Sequence, residues 1–311
     1  MMTSLRRLAG SIWLRALVSA GLLALVASRI DFGAAGDRLS GGRWGYFAAA
    51  VAALFASFLL GAARWHVFLE AADIESSLPR AIRAYLIGTF TTNFLPTQVG
   101  GDVTRAWIAS RPGMRVRAAA TVVVDRASAV VCLVVIAWIA LAADPGPVPG
   151  LLIGALGASV GILALGALLA ARFLRGGTGL GHLLNERVRD WGGEARRAVR
   201  ACLRAPVVRR TLLLGIAFQG LVVLALWLLA HAISLAVPFS VLAVTLPPVL
   251  IATMAPISIA GFGVREGMFV LLLRHADVVT TNAALLSLMS AAAFAVASLP
   301  GGLALLRQDP W

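Results

Sequence analysis

The feature that most constrains this chain is a series of six apolar runs, each of a length suited to crossing a lipid bilayer as a helix. A membrane-spanning helix needs about 20 predominantly apolar residues, because the hydrocarbon core of a bilayer is about 30 Å thick. The runs lie at about residues 12–28, 45–63, 118–142, 150–171, 211–233 and 280–306. We therefore predict an all-α polytopic membrane protein with six full spans.

Composition places all of these runs in one membrane domain. Hydrophobic residues make up 60% of the 311 residues and charged residues 13%, which is more apolar surface than a soluble core hides. The longest polar segment, about residues 174–210, is too short to bury a core of its own. We expect a single integral membrane domain over residues 1–311, with the first run kept as a span rather than removed as a signal sequence.

Two further apolar segments are interrupted by proline and glycine, and the arginines around them indicate how they cross. Basic residues near span ends are retained on the cytoplasmic side of the membrane. Arg64, Arg80 and Arg83 follow the second run, and further arginines precede the third run. The segment between them, with its apolar residues 84–95, must therefore enter and leave on the cytoplasmic side. When the remaining runs are followed in the same way from side to side of the membrane, residues 237–278 must enter and leave on the outer side. We therefore predict two re-entrant hairpins.

The tips of these two hairpins share a residue pattern. The first tip reads NFLPTQVGGDVTRAW over residues 93–107, and the second reads MAPISIAGFGVREGM over residues 254–268. In each tip a proline is followed at a matching interval by a glycine and then by an arginine. The matched residues are Pro96, Gly101 and Arg105 in the first tip and Pro256, Gly261 and Arg265 in the second, with the small residues Gly100 and Ala260 also aligned. Three matched residues also arise by chance in a chain this rich in glycine, alanine and arginine.

The order of elements in the two halves favours a repeat over chance. Each half, about residues 1–145 and 146–311, reads span, span, hairpin, span, and the halves begin on opposite sides of the membrane. Interrupted segments at matching places in such an inverted repeat are typical of transporters with a site near the bilayer midplane. Irregular backbone persists at that depth only where it is buried in protein or lines a water-filled cavity. We expect the two tips to face each other across a polar cavity.

Three sequence blocks, in this order, resemble the lysylphosphatidylglycerol synthase transmembrane region family, also described as flippase-like membrane proteins. They are NFLPTQVGGDVTRAW, the pair Asp125 and Arg126 in VVVDRASAVV, and PISIAGFGVREG. The resemblance spans nearly the whole chain. It implies a role in moving or modifying lipids, including aminoacylated phospholipids, polyprenyl-linked sugars and hopanoid-related lipids. No soluble aminoacyl-transferase domain follows the last run, so we do not expect the reaction of the two-domain synthases.

Arg105 and Arg265 are the first candidates for contact with a lipid head group. A guanidinium stays charged under physiological conditions and presents a planar fork of donors that suits a phosphate. Arg105 also has a plainer interpretation as a topology signal at a helix end. Arg265 lies toward the outer side in the predicted topology, where arginine is not retained by default. Its neighbour Glu266 either takes part in the site or forms an ion pair with Arg265 that holds the hairpin closed.

Asp125 and Arg126 are charged residues well inside an apolar run. They lie about seven residues into the third run, roughly 10 Å deep at about 1.5 Å per residue. Charges at that depth face the interior of a helix bundle and mark function by default. Adjacent helical residues point about 100° apart, so Asp125 is able to meet an arginine of a hairpin, or to exchange a proton, instead of pairing with Arg126. A structural clamp is the alternative for both residues.

Further polar and turn-forming residues belong to the tips. Asp102 is as well placed to cap a helix that follows the first tip as to take part in chemistry. Asn93 and Gln98 are expected to line a head-group path or to satisfy backbone groups. Proline stops a helix and glycine permits a tight turn, so the structural residues of the tips shape the site more than they contact a substrate. They are Pro96, Gly100, Gly101, Pro256, Gly261 and Gly263.

The basic segment at residues 184–204 carries an apolar stripe at helical spacing that includes Trp191, Val199 and Cys202. This pattern predicts a helix on an anionic membrane surface, and the membrane setting argues against nucleic-acid binding. The 4 histidines are scattered and no nucleophile motif is present. We therefore expect no metal, no cofactor and no catalytic residue.

The function that these patterns favour is transport of an anionic or polyprenyl-linked lipid. The expected setting is a bacterial cytoplasmic membrane, with both chain termini on the cytoplasmic side and an arginine-lined path between the hairpins. Two alternatives stay open. One is a membrane enzyme that modifies a lipid-linked substrate with Asp125 or Glu266 as base, and the other is an accessory scaffold that assembles lipid-synthesis enzymes.

Overall fold

The computed structural model describes residues 19–306 except residues 23, 26, 29, 94–97, 147, 176–185 and 255–260. Within these residues the chain forms helices joined by turns and short connections, with no strand. The helices are α1 (Phe32–Ser40), α2 (Trp44–Ala71), α3 (Leu78–Thr92), α4 (Gln98–Ala109), α5 (Arg115–Ala143), α6 (Gly150–Leu174), α7 (Glu186–Cys202), α8 (Ala205–Ala232), α9 (Phe239–Met254), α10 (Val264–Arg274) and α11 (Thr280–Leu306). Residues 19–22 are also helical.

Five of these helices are long and apolar enough to cross a membrane, namely α2, α5, α6, α8 and α11. They contain five of the six predicted runs, and α2 continues beyond its run to Ala71. The remaining predicted run, the first in the chain at residues 12–28, lies partly outside the described residues. The prediction of an all-helical, multi-pass membrane protein is confirmed.

The two interrupted segments each form a pair of short helices. The first pair is α3 and α4, separated by residues 93–97, and the second is α9 and α10, separated by residues 255–263. The predicted turn residues Pro96 and Pro256 lie outside the described residues. Gly263, immediately before α10, has φ of +82°, a left-handed conformation that glycine adopts without strain.

Glycines bring the first pair of short helices into direct backbone contact with each other and with α11. A Cβ atom added to Gly101 on α4 would lie 2.2 Å from the carbonyl oxygen of Gly88 on α3. A Cβ atom added to Gly301 on α11 would lie 2.0 Å from the carbonyl oxygen of Leu86 on α3. Because both obstacles are backbone atoms, no side-chain rearrangement can make room for even a methyl group. These glycines hold α3 between α4 and α11.

The buried apolar residues form two main clusters. The larger one joins α2, α5, α8, α9, α10 and α11 and includes Phe58, Leu226, Leu242, Phe269 and Leu286. The second cluster contains residues such as Trp65 and Phe68 near the end of α2, together with residues of α3, α4 and the first part of α5. Charged residues that line the cavity described below lie in α2, α4, α5 and α10.

Helix α7 is the predicted amphipathic segment, and the structure packs part of its apolar stripe against protein. Ala198 and Cys202 are buried in the second cluster. The Cys202 thiol donates to the carbonyl oxygen of Phe68 on α2, with 3.7 Å between sulfur and oxygen. Trp191, by contrast, is 55% exposed. The C-terminal part of the stripe is therefore a protein contact, and the prediction of membrane-surface binding now applies to the part around Trp191.

Candidate functional site

A cavity of about 610 Å³ lies among eight helices and is lined by residues of both interrupted segments. Its walls are largely apolar, with side chains such as Phe58, Leu226 and Phe294. Charged side chains also line it and come from α2, α4, α5 and α10. They are Arg64, Asp102, Arg105, Asp125, Arg126 and Arg265. The cavity thus combines an apolar surface with a compact group of ionic side chains.

Asp125 on α5 is the centre of this ionic group and is 2% exposed. Its Oδ1 accepts a hydrogen bond from Nε of Arg64 at 2.9 Å and lies 2.8 Å from Nη2 of the same arginine. Its Oδ2 accepts from both terminal nitrogens of Arg105, each at 3.0 Å. One carboxylate therefore joins an arginine of α2 to an arginine of α4. The expectation that Asp125 meets a hairpin arginine agrees with this geometry.

Asp102 on α4 extends the group to a third arginine. Its Oδ1 accepts from Nε of Arg105 at 3.1 Å, and its Oδ2 accepts from Nε of Arg126. Asp102 and Arg105 are three residues apart on one helix and so share a face. Asp102 lies inside α4, which begins at Gln98, and so it is not the N-cap of that helix. Arg126 pairs with Asp102 on α4.

We name five residues of this ionic group the Asp125 cluster: Arg64, Asp102, Arg105, Asp125 and Arg126. Aromatic rings lie close to two of its arginines. The guanidinium of Arg105 lies 4.9 Å from the ring centroid of Trp65 and 5.0 Å from that of Tyr85. The guanidinium of Arg64 lies 5.0 Å from the ring centroid of Phe218. A cation over an aromatic face is attracted by the ring quadrupole, and this attraction grows when water is excluded. These rings help to hold buried arginines in fixed positions.

Arg265 on α10 is paired within its own helix. Its Nε and Nη2 donate to Oε1 of Glu266 at 3.0 and 2.6 Å. The other oxygen of Glu266 accepts from the backbone N–H of Gly263 at 2.6 Å, which caps the start of α10. Glu266 is 1% exposed, whereas the side chain of Arg265 is 23% exposed. The ion-pair interpretation of these two residues therefore matches their geometry, and Arg265 still reaches the cavity.

The remaining candidates are placed as follows. Asn93 lines the cavity and donates from Nδ2 to Oγ of Ser298 on α11 at 2.8 Å. Gly101 also lines the cavity, at its close contact with Gly88. The side chain of Gln98 lies outside the described part of the structure. Among the described residues, no group of histidine, cysteine, aspartate and glutamate is arranged to hold a metal ion.

Arg64 belongs to the site although the sequence pattern marked it only as a topology signal. It is 1% exposed and lies within α2, which continues for seven residues beyond it to Ala71. An arginine followed by two more apolar helical turns is a different signal from an arginine at a helix end. The helical continuation through WHVFLEA is the feature that could have identified it.

Comparison with known families gives one match, which covers nearly the entire chain. The model of the family described as "Lysylphosphatidylglycerol synthase TM region" matches residues 12–302. The chain belongs to this family. No curated protein and no solved structure was found to match it. The family match contains both interrupted segments and the whole Asp125 cluster, so the predicted resemblance is confirmed at the level of the family.

Proposed function

We propose that this member of the lysylphosphatidylglycerol synthase transmembrane-region family transports an anionic or polyprenyl-linked lipid across a bacterial cytoplasmic membrane. In this proposal the lipid head group occupies the cavity beside the Asp125 cluster and Arg265. The acyl or prenyl chains lie against the apolar walls. The observation that carries the proposal is the combination, in one cavity of about 610 Å³, of largely apolar walls with charged residues from both interrupted segments.

The lengths of the short helices support their assignment as re-entrant hairpins. Helices α3 and α4 contain 15 and 12 residues, and α9 and α10 contain 16 and 11 residues. At about 1.5 Å per residue, each is roughly 16–24 Å long, shorter than a hydrocarbon core of about 30 Å. Each pair is therefore better suited to entering and leaving on one side than to crossing twice.

The packing of the two halves supports an inverted repeat. Helix α2 of the first half packs against α8, which occupies the matching place in the second half. Helix α3 of the first half packs against α11, and correspondingly α9 of the second half packs against α5. These contacts between halves recur with the halves exchanged, as expected for two units related by a pseudo-two-fold axis. Transporters of this kind expose a shared central site alternately to each side.

The geometry favours transport over an enzymatic reaction. Both oxygens of Asp125 accept hydrogen bonds from arginines. Glu266 accepts from Arg265 and from the backbone of Gly263. A general base needs an oxygen within hydrogen-bond reach of the substrate proton that it removes. Since the two carboxylates proposed as bases are engaged in this way, their clearer role is to fix the arginines.

A liposome assay tests the proposal directly. Vesicles carry a phosphatidylglycerol with a fluorescent acyl chain, and a membrane-impermeant quencher reports how much of it remains in the inner leaflet. With the wild-type protein, with or without an imposed ion gradient, we expect the protected fraction to fall with time. Ala291→Trp should suppress this loss, because Ala291 lines the cavity and the indole would fill space that the lipid needs.

Ala164→Trp is the matched control, because Ala164 lies exposed on α6 and does not line the cavity. It should retain wild-type transport. Full protection of the labelled lipid by wild-type vesicles under every gradient would contradict transport. Equal rates for wild type and Ala291→Trp would contradict the cavity as the route, and appearance of a chemically altered lipid would favour the enzyme.

A further inference from the structure

The charges of the described residues around the cavity do not balance. The charged side chains that line it are four arginines, Arg64, Arg105, Arg126 and Arg265, and two aspartates, Asp102 and Asp125. The buried carboxylate of Glu266, paired with Arg265, adds a third negative charge. Four guanidinium groups and three carboxylates leave one excess positive charge.

The undescribed tips of the interrupted segments do not change this sum. Residues 94–97 read FLPT and residues 255–260 read APISIA, so neither tip contains an ionisable side chain. The other polar residues that line the cavity are neutral, and they include Asn93, Gln219 and Ser290. Among the residues that the structure describes, the excess therefore belongs to these ionic groups.

An excess charge among apolar walls is a binding feature rather than a stabilising one. A charge removed from water is costly unless a partner of opposite sign compensates it. Arginine stays protonated under physiological conditions, so loss of a proton cannot remove the excess. The side chains of Arg126 and Arg265 are partly exposed, so water offsets part of this cost, and an anion with one negative charge in the cavity would offset the rest.

One buried donor of the Asp125 cluster also lacks a hydrogen-bond acceptor in the described part of the chain. Nη1 of Arg64 is buried and has no hydrogen-bond partner among the described residues. The other two nitrogens of this guanidinium are bonded to Asp125. Buried donors are nearly always paired. This nitrogen lies beside Gly215 on α8, where an added Cβ atom would be 3.3 Å from it, and Gly215 does not line the cavity, so the unpaired donor is not itself a contact for the anion.

We infer that the cavity selects lipids whose head group carries a single negative charge, as a phosphodiester does, over dianionic phosphomonoesters and over zwitterionic lipids. This inference rests on the proposed function and specifies its substrate class. A phosphodiester has no second ionisation, whereas a phosphomonoester approaches two negative charges above its second pKa of about 6. Apolar walls assign the anion to a lipid rather than to a soluble phosphate.

Charge-changing variants test this selection by lipid exchange. The purified protein is equilibrated at pH 8 with an equimolar mixture of phosphatidylglycerol, phosphatidic acid and phosphatidylcholine that share the same acyl chains, and the retained lipids are measured by mass spectrometry. Wild-type protein should enrich phosphatidylglycerol over the other two by about tenfold or more, given the strength of a charge pair at low dielectric. A tenfold excess of glycerophosphoglycerol, which has this head group without acyl chains, should not displace the lipid.

Three variants shift the excess in known directions. Asp102→Asn raises the net positive charge around the cavity from one to two. The ratio of retained phosphatidylglycerol to retained phosphatidic acid should therefore fall on the order of tenfold. Arg126→Gln on α5 and Arg265→Gln on α10 each lower the net charge to zero, so enrichment of phosphatidylglycerol over phosphatidylcholine should be lost. The side chains of these two arginines are 28% and 23% exposed, so both variants are expected to fold, and a melting curve checks each one.

The outcomes separate this inference from the proposed function. Enrichment of phosphatidic acid by wild-type protein would contradict only the selection of singly charged head groups. Ratios of retained lipids that stay unchanged in all three variants would contradict the same selection. Neither result would contradict transport of an anionic lipid. Displacement by glycerophosphoglycerol would assign the site to a soluble phosphodiester and would contradict the assignment of the bound anion to a lipid. Wild-type protein that enriches none of the three lipids would contradict both the inference and the head-group site of the proposed function.

Discussion

Replacing Asp125 by asparagine should destabilise the protein strongly, because this one carboxylate joins two arginines from different helices. The change keeps the size of the side chain and removes its charge. Arg64 and Arg105, now separated by a neutral amide, would each lose an ionic partner at 2.8–3.0 Å. Removing one member of a buried ion pair costs about 3–5 kcal/mol, since the remaining charge stays buried without compensation.

The expected size of the effect is measurable as a change in melting temperature. A loss of 1 kcal/mol lowers the midpoint by about 2–4 °C for chains of 150–250 residues, and the lower value suits this longer chain, so we expect roughly 6–10 °C. The assay is thermal unfolding in detergent, followed by tryptophan fluorescence. Arg64→Gln and Asp125→Asn combined should destabilise by about 0.5–3 kcal/mol less than the sum of the single variants, because the residues interact directly.

Glu75→Gln is the matched control for this prediction. Glu75 pairs with Arg111 at 3.6 Å, and both side chains are largely exposed, at 80% and 68%. Surface pairs contribute about 0–1 kcal/mol, so the same carboxylate-to-amide change should alter the midpoint by no more than about 2 °C. If Asp125→Asn unfolds at the wild-type temperature, the ion pairs around Asp125 do not form and the account of the cluster is wrong.

Three further predictions follow from other parts of the fold. Gly301→Ala should lower the free energy of unfolding by about 3 kcal/mol or prevent folding, because the added methyl group would meet the backbone of α3. Gly157→Ala is its control and should leave the melting temperature unchanged, because the space beside Gly157 is open. Burial raises the pKa of the Cys202 thiol to about 12. At pH 8 this thiol should therefore react with maleimide about a thousandfold more slowly than an exposed cysteine. Rapid labelling of Cys202 in the folded protein, measured by peptide mass spectrometry, would show that α7 is not docked. Single cysteines introduced at Gln98 and at Ala260 should be reached by polar reagents from opposite sides of the membrane, and labelling of both from one side would contradict the inverted repeat.

Hydropathy and helical period were sufficient to predict the membrane helices but not the partners of the charged residues. The five described spans follow from apolar runs whose length matches a bilayer, a constraint that acts locally on the sequence. The position of Asp125 inside a run likewise predicted that it faces other helices. Its pairing with Arg64 depends on where α2 and α5 cross, and that depends on packing between residues far apart in the chain.

Helix α7 shows a second limit of prediction from pattern. Ala195, Val199 and Cys202 recur at helical spacing, and this spacing indicates a buried face without indicating what buries it. A lipid surface and a protein surface impose the same period. The structure distinguishes them through the contact of Cys202 with Phe68 on α2, which no local signal encodes.

The measurement that tests the account most directly is the position of the lipid phosphate in the protein. A cryo-electron microscopy map of the wild-type protein in phosphatidylglycerol nanodiscs would locate it. We expect phosphate density inside the cavity, within about 3–4 Å of a guanidinium of Arg64, Arg126 or Arg265, with acyl chains against the apolar walls. A cavity that contains only water, with lipid phosphates confined to the outer rim of the protein, would contradict it.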